Sequence, residues 1–380
     1  VRFIAYDDQV YERDAEGLWT DRTFPLFIAE VGADLDGLVL IGRLREERTE
    51  ASFRVPARVE FVGLPFYASL ASPLRVVSGA LAALWAFWRR LGEVDGAWIL
   101  GPHPLGLAFA LMALARRRRL VLGVRQEMKA YARRRHPSRR SVHLVADLLE
   151  ASWRLLARFC AVVVVGPELA GQYRRARRLH VLHVSMMRAE HILAPEVERG
   201  RRYDGELTML SVGRLDEEKN PLLLADVLAA ARAAGRSWRL VVCGIGSLEG
   251  ELARRLEDLG LSDVAELRGY VPIDAGLRDV YREAHAFLHV SWTEGVPQVL
   301  FEAFAARLPV VATDVGGVRS AAEGASLLIP PGDRDAAVAA LERVAGDPGL
   351  RERLTGAGAE RVARHTLESE AARAAAFLTG

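Results

Sequence analysis

Glu294 and Glu302 stand eight positions apart within the stretch TEGVPQVLFEA. On one unbroken helix that spacing splays two side chains by about 80°. Gly295 and Pro297 stand between them. Glycine permits a tight turn, and proline suits the first turn of a helix, where its missing N–H leaves nothing unpaired. Glu294 is therefore expected in a loop and Glu302 on the helix that follows. Between them the N–H groups of residues 295–299, Pro297 excepted, are expected to make an anion site. Carboxylates suit vicinal diols, because each oxygen accepts a hydrogen bond. The plainer alternative is one capping or salt-bridged Glu and one surface Glu.

Other strand ends carry further candidates. After LSVG come Arg214 and, five positions on, Lys219, just before Pro221 opens a helix. An arginine fork and a lysine point charge ahead of a helix suit a diphosphate. The competing reading pairs both cations with Asp216, Glu217 or Glu218. Gly244 and Gly246 make a GxG turn into a helix, a weak phosphate-loop signal that any strand-to-helix turn shares. After AELRG, the backbone at Tyr270 and Val271 offers an amide and a carbonyl to a flat base. In the first half, His103 in GPHPLG and Arg125 in LGVRQEM stand at successive strand ends. The stretch 11–27, read as a long polar loop, adds Gly17, Trp19 and Arg22.

The elements that must position these residues alternate. Short apolar runs at 2–6, 35–42, 59–64, 96–101, 119–124 and 161–166 read as strands, with helices at 73–91, 105–118 and 142–158 between later ones. Most are continuous apolar runs, as parallel strands covered on both faces require. The pattern lapses over 187–206, a polar stretch broken by Pro195 and Gly200 that reads as a linker. It restarts with strands at 207–213, 238–244, 265–270, 286–292, 308–313 and 326–332, and the chain closes on an Ala-rich helix. The fold class is α/β, with two doubly wound halves. In such sheets ligands sit beyond the carboxyl ends of the strands.

Composition agrees. The 380 residues exceed one ordinary core, and 51% hydrophobic with 26% charged is a globular balance. The longest apolar run, 76–88, has 13 residues, short of the roughly 18 a membrane span needs. The N-terminal stretch VRFIAYDDQV has no signal-peptide core, and Cys160 and Cys243 lack metal or redox spacing, so a reducing, cytoplasmic setting is expected. Net charge is +2, yet residues 116–140 hold eleven Arg and Lys against one acid, Glu127. That run is either a solvated face or a patch for a phosphate-bearing acceptor or an anionic membrane. No zinc spacing, helix-turn-helix or RNA-binding motif points to nucleic acid.

Taken together, SVGRLDEEKNP, VVCGIGSLEGEL, LRGYVP and TEGVPQVLFEAFAARLPVVATDVGGVRSAAEGASLLIPPGD resemble the C-terminal domain of retaining glycosyltransferases of family GT4, across roughly 207–365. The resemblance implies a GT-B fold, two Rossmann-like domains facing across a cleft. Residues 1–186 would bind the acceptor and 207–365 the nucleotide sugar, with 366–380 crossing back to the first domain. It implies transfer of a sugar from a UDP- or GDP-linked donor to a hydroxyl acceptor, anionic or lipid-linked, at the inner membrane face or in the cytoplasm. Arg214 and Lys219 would meet the diphosphate, Glu294 the sugar hydroxyls and Glu302 the ribose. Gly213, Gly246, Gly295, Val296 and Pro297 would frame donor and phosphate, and Tyr270 and Val271 the base. No metal or other cofactor is expected, because fixed cations replace it. One departure stands out: Arg125 occupies the position where the family often has His. Two alternatives remain, a non-catalytic sugar-nucleotide-binding partner and another GT-B enzyme such as an epimerase. A phosphorylase would need a cofactor lysine, and the chain has only Lys129 and Lys219.

Overall fold

The computed structural model describes residues 1–49, 51, 53–66, 73–135, 139–183 and 185–380. The chain divides into two units. Unit 1 is Val1–Val184 with Leu367–Gly380, and unit 2 is Ser185–Thr366.

Unit 1 holds a nine-stranded sheet: β1 (Arg2–Asp14), β2 (Gly17–Thr20), β3 (Gly37–Arg45), β4 (Phe53–Arg54), β5 (Glu60–Pro65), β6 (Gly96–Gly101), β7 (Arg119–Val124), β8 (Ala161–Val165) and β9 (Arg178–Leu182). Its parallel body runs β5-β3-β1-β6-β7-β8-β9. Phe3, Ile4, Ala5 and Tyr6 on β1 are fully buried, as are Ala97, Trp98 and Ile99 on β6. A central parallel strand has both faces covered, which is why these runs are apolar without alternation. The closing helix, Leu367–Thr379, packs in this unit against the helix Phe24–Val31 and against β9.

The stretch read as a polar loop over 11–27 holds a hairpin and then the start of the helix Phe24–Val31. β1 runs on to Asp14, turns, and pairs antiparallel with β2 in the register Tyr11 to Thr20. Asp14 secures the turn by accepting from the N–H groups of Glu16 and Gly17 and from Trp19 Nε1. Tyr11 and Thr20 are buried within a sequence whose polarity suggests exposure.

Unit 2 has six parallel strands in the order β12-β11-β10-β13-β14-β15: β10 (Leu207–Val212), β11 (Trp238–Cys243), β12 (Ala265–Leu267), β13 (Ala286–His289), β14 (Val310–Thr313) and β15 (Ser326–Ile329). The order reverses between β10 and β13. Two apolar clusters cover the sheet, one around Trp238, Leu228 and Leu341, the other around Phe287, Phe301 and Tyr281.

The stretch 187–206, read as a linker, is fastened to unit 2. Met187 is buried in the second cluster, with Ile192 and Leu193 against it. Leu193 N–H donates to Ala305 O at 2.8 Å, Arg201 Nη2 to Ala306 O at 2.7 Å and Tyr203 Oη to His285 O at 2.8 Å. A few apolar residues spaced along the polar run supply enough burial to seat it, and Arg201 satisfies carbonyls that a helix end leaves open.

Candidate functional site

The order reversal in unit 2 places the ends of β10 and β13 side by side, the position where doubly wound sheets hold ligands. A cavity of about 270 Å³ opens there, lined by Gly213, Arg214, Lys219, His289, Ser291, Glu294, Val296 and Pro297 among others. Lys219 closes a 3-10 turn (Glu217–Lys219), and Asn220 follows in the left-handed region at φ 53°, which swings the chain into the helix Leu222–Ala233. Pro297 has extended ψ and caps the helix Gln298–Ala305 instead of opening it. As expected from the sequence, Glu294 lies in the loop and Glu302 on the helix.

Glu294 is the centre of the site. Three groups converge on its Oε1: Lys219 Nζ at 2.6 Å, Ser291 Oγ at 2.7 Å and His289 Nε2 at 3.0 Å. An ionised carboxylate only accepts, so His289 donates from Nε2. Its Nδ1 is buried with no partner among the described residues. Burial pushes the Glu294 carboxyl up, but the hydrogen bond from His289 and the charge of Lys219 outweigh it and hold it down at about 2. The group is an anion at any physiological pH, with its charge matched on one oxygen. Ser291 is itself fixed, since its carbonyl accepts from Thr313 Oγ1 at 2.8 Å.

Glycines fix the loops around this cluster. A Cβ on Gly244 would lie 1.8 Å from Gly213 O, and one on Gly246 2.4 Å from the Leu215 carbonyl carbon. The GxG turn is thus glycine because the β10 loop crosses directly over it. The pair Gly316–Gly317 does the same for the carboxylate loop: added Cβ atoms would stand 2.0 Å from Glu294 O and 2.0 Å from Gly295 O.

Not every candidate meets here. Arg214 lines the cavity but is exposed, and its guanidinium pairs with Asp216 at 2.7 Å and with Glu218. That is the pairing the plainer reading of the sequence anticipated. Gly246, Tyr270, Val271 and Gly295 do not line the cavity. Glu302 lines a separate recess of about 160 Å³ with Arg278 and Tyr281. Tyr281 Oη donates to its Oε2 at 2.8 Å, and burial, partly offset by that bond, raises its pKa. The two acids of the opening motif therefore face different spaces. His289, Ser291 and Gly316–Gly317 were not singled out in the sequence. The signal lay in FLHVSW and DVGG, but a strand-end His reads as core and a double glycine as a turn.

Unit 1 has its own reversal, between β1 and β6, and its own cavity of about 760 Å³. His103 and Arg125 both line it, with Asp7, Asp8, Arg22 and Arg43. His103 is held by Asp8, Nε2 to Oδ2 at 2.8 Å, and Arg43 approaches the other oxygen of Asp8 at 3.2 Å. Arg125 Nη2 donates to Asp7 Oδ1 at 3.0 Å and its guanidinium stacks 4.8 Å from the centre of the Phe24 ring. Asp7 Oδ2 is buried without a partner among the described residues. Burial pushes the Asp7 carboxyl up to about 6, against the pull of Arg125. Gly17 does not line this cavity. It sits at the hairpin turn, with φ 148°.

The basic run 116–140 is divided by the fold. Arg116–Arg119 lie where β7 begins, whereas Arg125 lies just beyond its end, six residues or about 20 Å along. Arg133 pairs with Asp147 at 3.2 Å. Residues 136–138 lie outside the described residues.

Residues 195–361 match the family of glycosyl transferases group 1. The chain is 33% identical over 143 residues to a putative colanic acid biosynthesis glycosyltransferase WcaL of Salmonella typhimurium, covering 36% of this chain and 35% of that protein. It is 38% identical over 170 residues to a D-inositol 3-phosphate glycosyltransferase of Kribbella flavida, covering 40% and 39%. The matches thus span well under half the length of these relatives. In fold, the whole chain is similar to sucrose-phosphate synthase from Thermosynechococcus elongatus, with TM-score 0.69 and 17% identity over 98% of this chain and 97% of that one. It is also similar to Anabaena Alr3699/HepE in complex with UDP, with TM-score 0.70 and 16% identity over 100% of both. Over 195–361 the chain is therefore similar to the glycosyl transferases group 1 family, and its two units have the GT-B fold.

Proposed function

We propose that the protein is a retaining glycosyltransferase that moves a sugar from a nucleoside-diphosphate sugar, UDP- or GDP-linked, to a hydroxyl acceptor. The observation that carries this reading is the convergence of Lys219, His289 and Ser291 on one oxygen of Glu294 at the strand-order reversal of unit 2. With Oε1 so engaged, Oε2 takes none of those three bonds and suits a sugar hydroxyl as donor. A carboxyl held at about 2 does not deliver a proton, so Glu294 binds and orients.

The demanding step is departure of the nucleoside diphosphate, with negative charge growing on the phosphate oxygen. Lys219 and the first turn of the helix Gln298–Ala305 border the same cavity, and Arg214 stands at its rim. Preorganised donors of this kind contribute about 3–4 kcal/mol each when aimed at developing charge. On this reading Arg214 leaves Asp216 and Glu218 for the diphosphate, a small rearrangement for an exposed pair. The departing phosphate takes the acceptor proton, so the reaction needs neither a protein base nor a metal ion. Arg125 and Arg43 favour an acceptor bearing an anionic group. The test is release of nucleoside diphosphate from a panel of UDP- and GDP-sugars, with and without hydroxyl acceptors. Release by the wild type that is lost in Glu294→Ala supports the reading, and no release from any donor overturns it.

A further inference from the structure

Three helices of unit 1 lie side by side on one face of its sheet: Pro73–Arg90, Pro104–Ala115 and Arg140–Ala157, the middle one touching both others. Their inward faces are ordinary core, with Phe87, Phe109 and Trp153 fully buried. Their outward faces are richer in large apolar residues than a water-facing helix normally is. From Val76 to Trp88 the first helix has no charged residue, and its outward side shows Val77, Leu81, Trp85 and Trp88, with Leu81 61% and Trp85 64% exposed. The middle helix adds Leu111 and Leu114. The third adds Leu144, Val145, Leu148 and Leu155, and Phe159 follows at 65% exposed. The three helices hold two acids: Glu150 is buried, and Asp147, partly exposed, is paired with Arg133 at 3.2 Å.

The ends of these helices explain the arginine runs. Each helix precedes a parallel strand, so all three finish at the edge from which β6, β7 and β8 start. There the chain places Arg89 and Arg90, then Arg116, Arg117 and Arg118, then Arg158. Arg116 lies 4.0 Å from the centre of the Trp88 ring and Arg89 5.6 Å from that of Trp85. The result is an apolar face bordered on one side by guanidinium groups, with tryptophans near the border. Tryptophan favours the level of lipid headgroups, and long cationic side chains reach phosphate while their stems cover apolar surface.

We propose that unit 1 docks through this three-helix face onto an anionic lipid bilayer, lying on it without crossing it. Among the described residues no helix is long and apolar enough to cross a membrane. Arg90 is already paired with Glu60 and Glu93 and Asp147 with Arg133, which leaves Arg89, Arg116, Arg117 and Arg158 as a net cationic border; such a border asks for an anionic partner, which a second copy of the same face does not supply. The surface is distinct from the cavity at the β1 and β6 ends, which opens at the opposite edge of the sheet, and the inference does not depend on the proposed transfer reaction. It relocates membrane contact from the run 116–140 as a whole to the helix faces and their arginine ends.

Sedimentation of the full chain with phosphatidylglycerol vesicles and with phosphatidylcholine vesicles tests this. Binding should favour the anionic vesicles strongly, weaken steeply with salt, and shift tryptophan emission to the blue. Leu81→Glu, Trp85→Glu and Leu148→Glu, all on solvent-facing positions, should each reduce binding by about tenfold or more with the melting temperature retained. Arg117→Glu with Arg158→Glu should remove the preference for anionic lipid. Equal binding to both vesicle types, or binding untouched by these changes, overturns the proposal. So does a concentration-dependent dimer that Trp85→Glu dissolves, which would assign the face to a second copy.

Discussion

Both units bury a carboxylate where their strand order reverses, and the two carboxylates are tuned in opposite directions. Glu294 in unit 2 has three donors on one oxygen and is held at about 2. Asp7 in unit 1 has one donor, Arg125, and an unpartnered buried oxygen, and is pushed up to about 6. Burial acts on both in the same sense. The difference lies in how many fixed donors oppose it, and it separates a site built around a permanent anion from one whose charge changes near neutral pH.

The most severe break in this comparison comes from removing the donors in unit 2. Lys219→Ala or Glu294→Ala should lower turnover by ~10²-fold or more with circular dichroism unchanged. Arg214→Ala should lower it similarly, although its exposed pairing predicts no loss of stability. Near-normal turnover in all three would remove the diphosphate assignment.

Acid titration separates the two units next. The folded pKa of Glu294 lies below its ordinary 4.5, so the unfolded chain binds the proton more readily. Its stabilisation is complete above about pH 5 and lost as pH falls through about 2, with a magnitude on the order of 3 kcal/mol. Glu294→Gln should flatten that part of the stability curve, and an unchanged curve would contradict the three-donor account.

Asp7 carries the opposite sign. Its folded pKa lies above the ordinary 3.8, so stability present at low pH is lost as pH rises from about 4 through 6. Asp7→Asn should flatten that window and raise the melting temperature at pH 7, by an effect on the order of 1–3 kcal/mol. A lower melting temperature at pH 7 would show that the Arg125 pair stabilises on balance. The smallest expected effect is that of EDTA, which should leave turnover unchanged. Loss of activity restored by Mg²⁺ or Mn²⁺ would break the metal-free reading.

Much of this was legible because strand ends announce themselves. Gly213, Arg214 and Lys219 follow a buried apolar run, and Gly295 and Pro297 separate Glu294 from Glu302 as a loop from a helix. What stayed hidden were relations between segments distant in sequence. His289 and Ser291 act on Glu294 from the end of a strand that reads as core. Gly316 and Gly317 serve a loop some twenty residues earlier, through close backbone approach. The hairpin at 11–20 was masked by charged residues whose partners lie elsewhere: Glu12 is buried because Arg45, Thr49 and the Ala51 N–H surround its carboxylate. The arginine run 116–140, read as either a solvated face or one patch, is split by β7, which carries Arg119 and Arg125 to opposite edges of the sheet.

The central claim is that the Lys219–Glu294 cluster of unit 2 holds a nucleoside diphosphate. Calorimetric titration of UDP and GDP into the wild type, Lys219→Ala and Asp7→Asn tests it most directly. The account predicts that one nucleotide binds the wild type, binds Asp7→Asn equally well, and binds Lys219→Ala about tenfold or more weakly. Undiminished binding to Lys219→Ala, or a loss confined to Asp7→Asn, would contradict it.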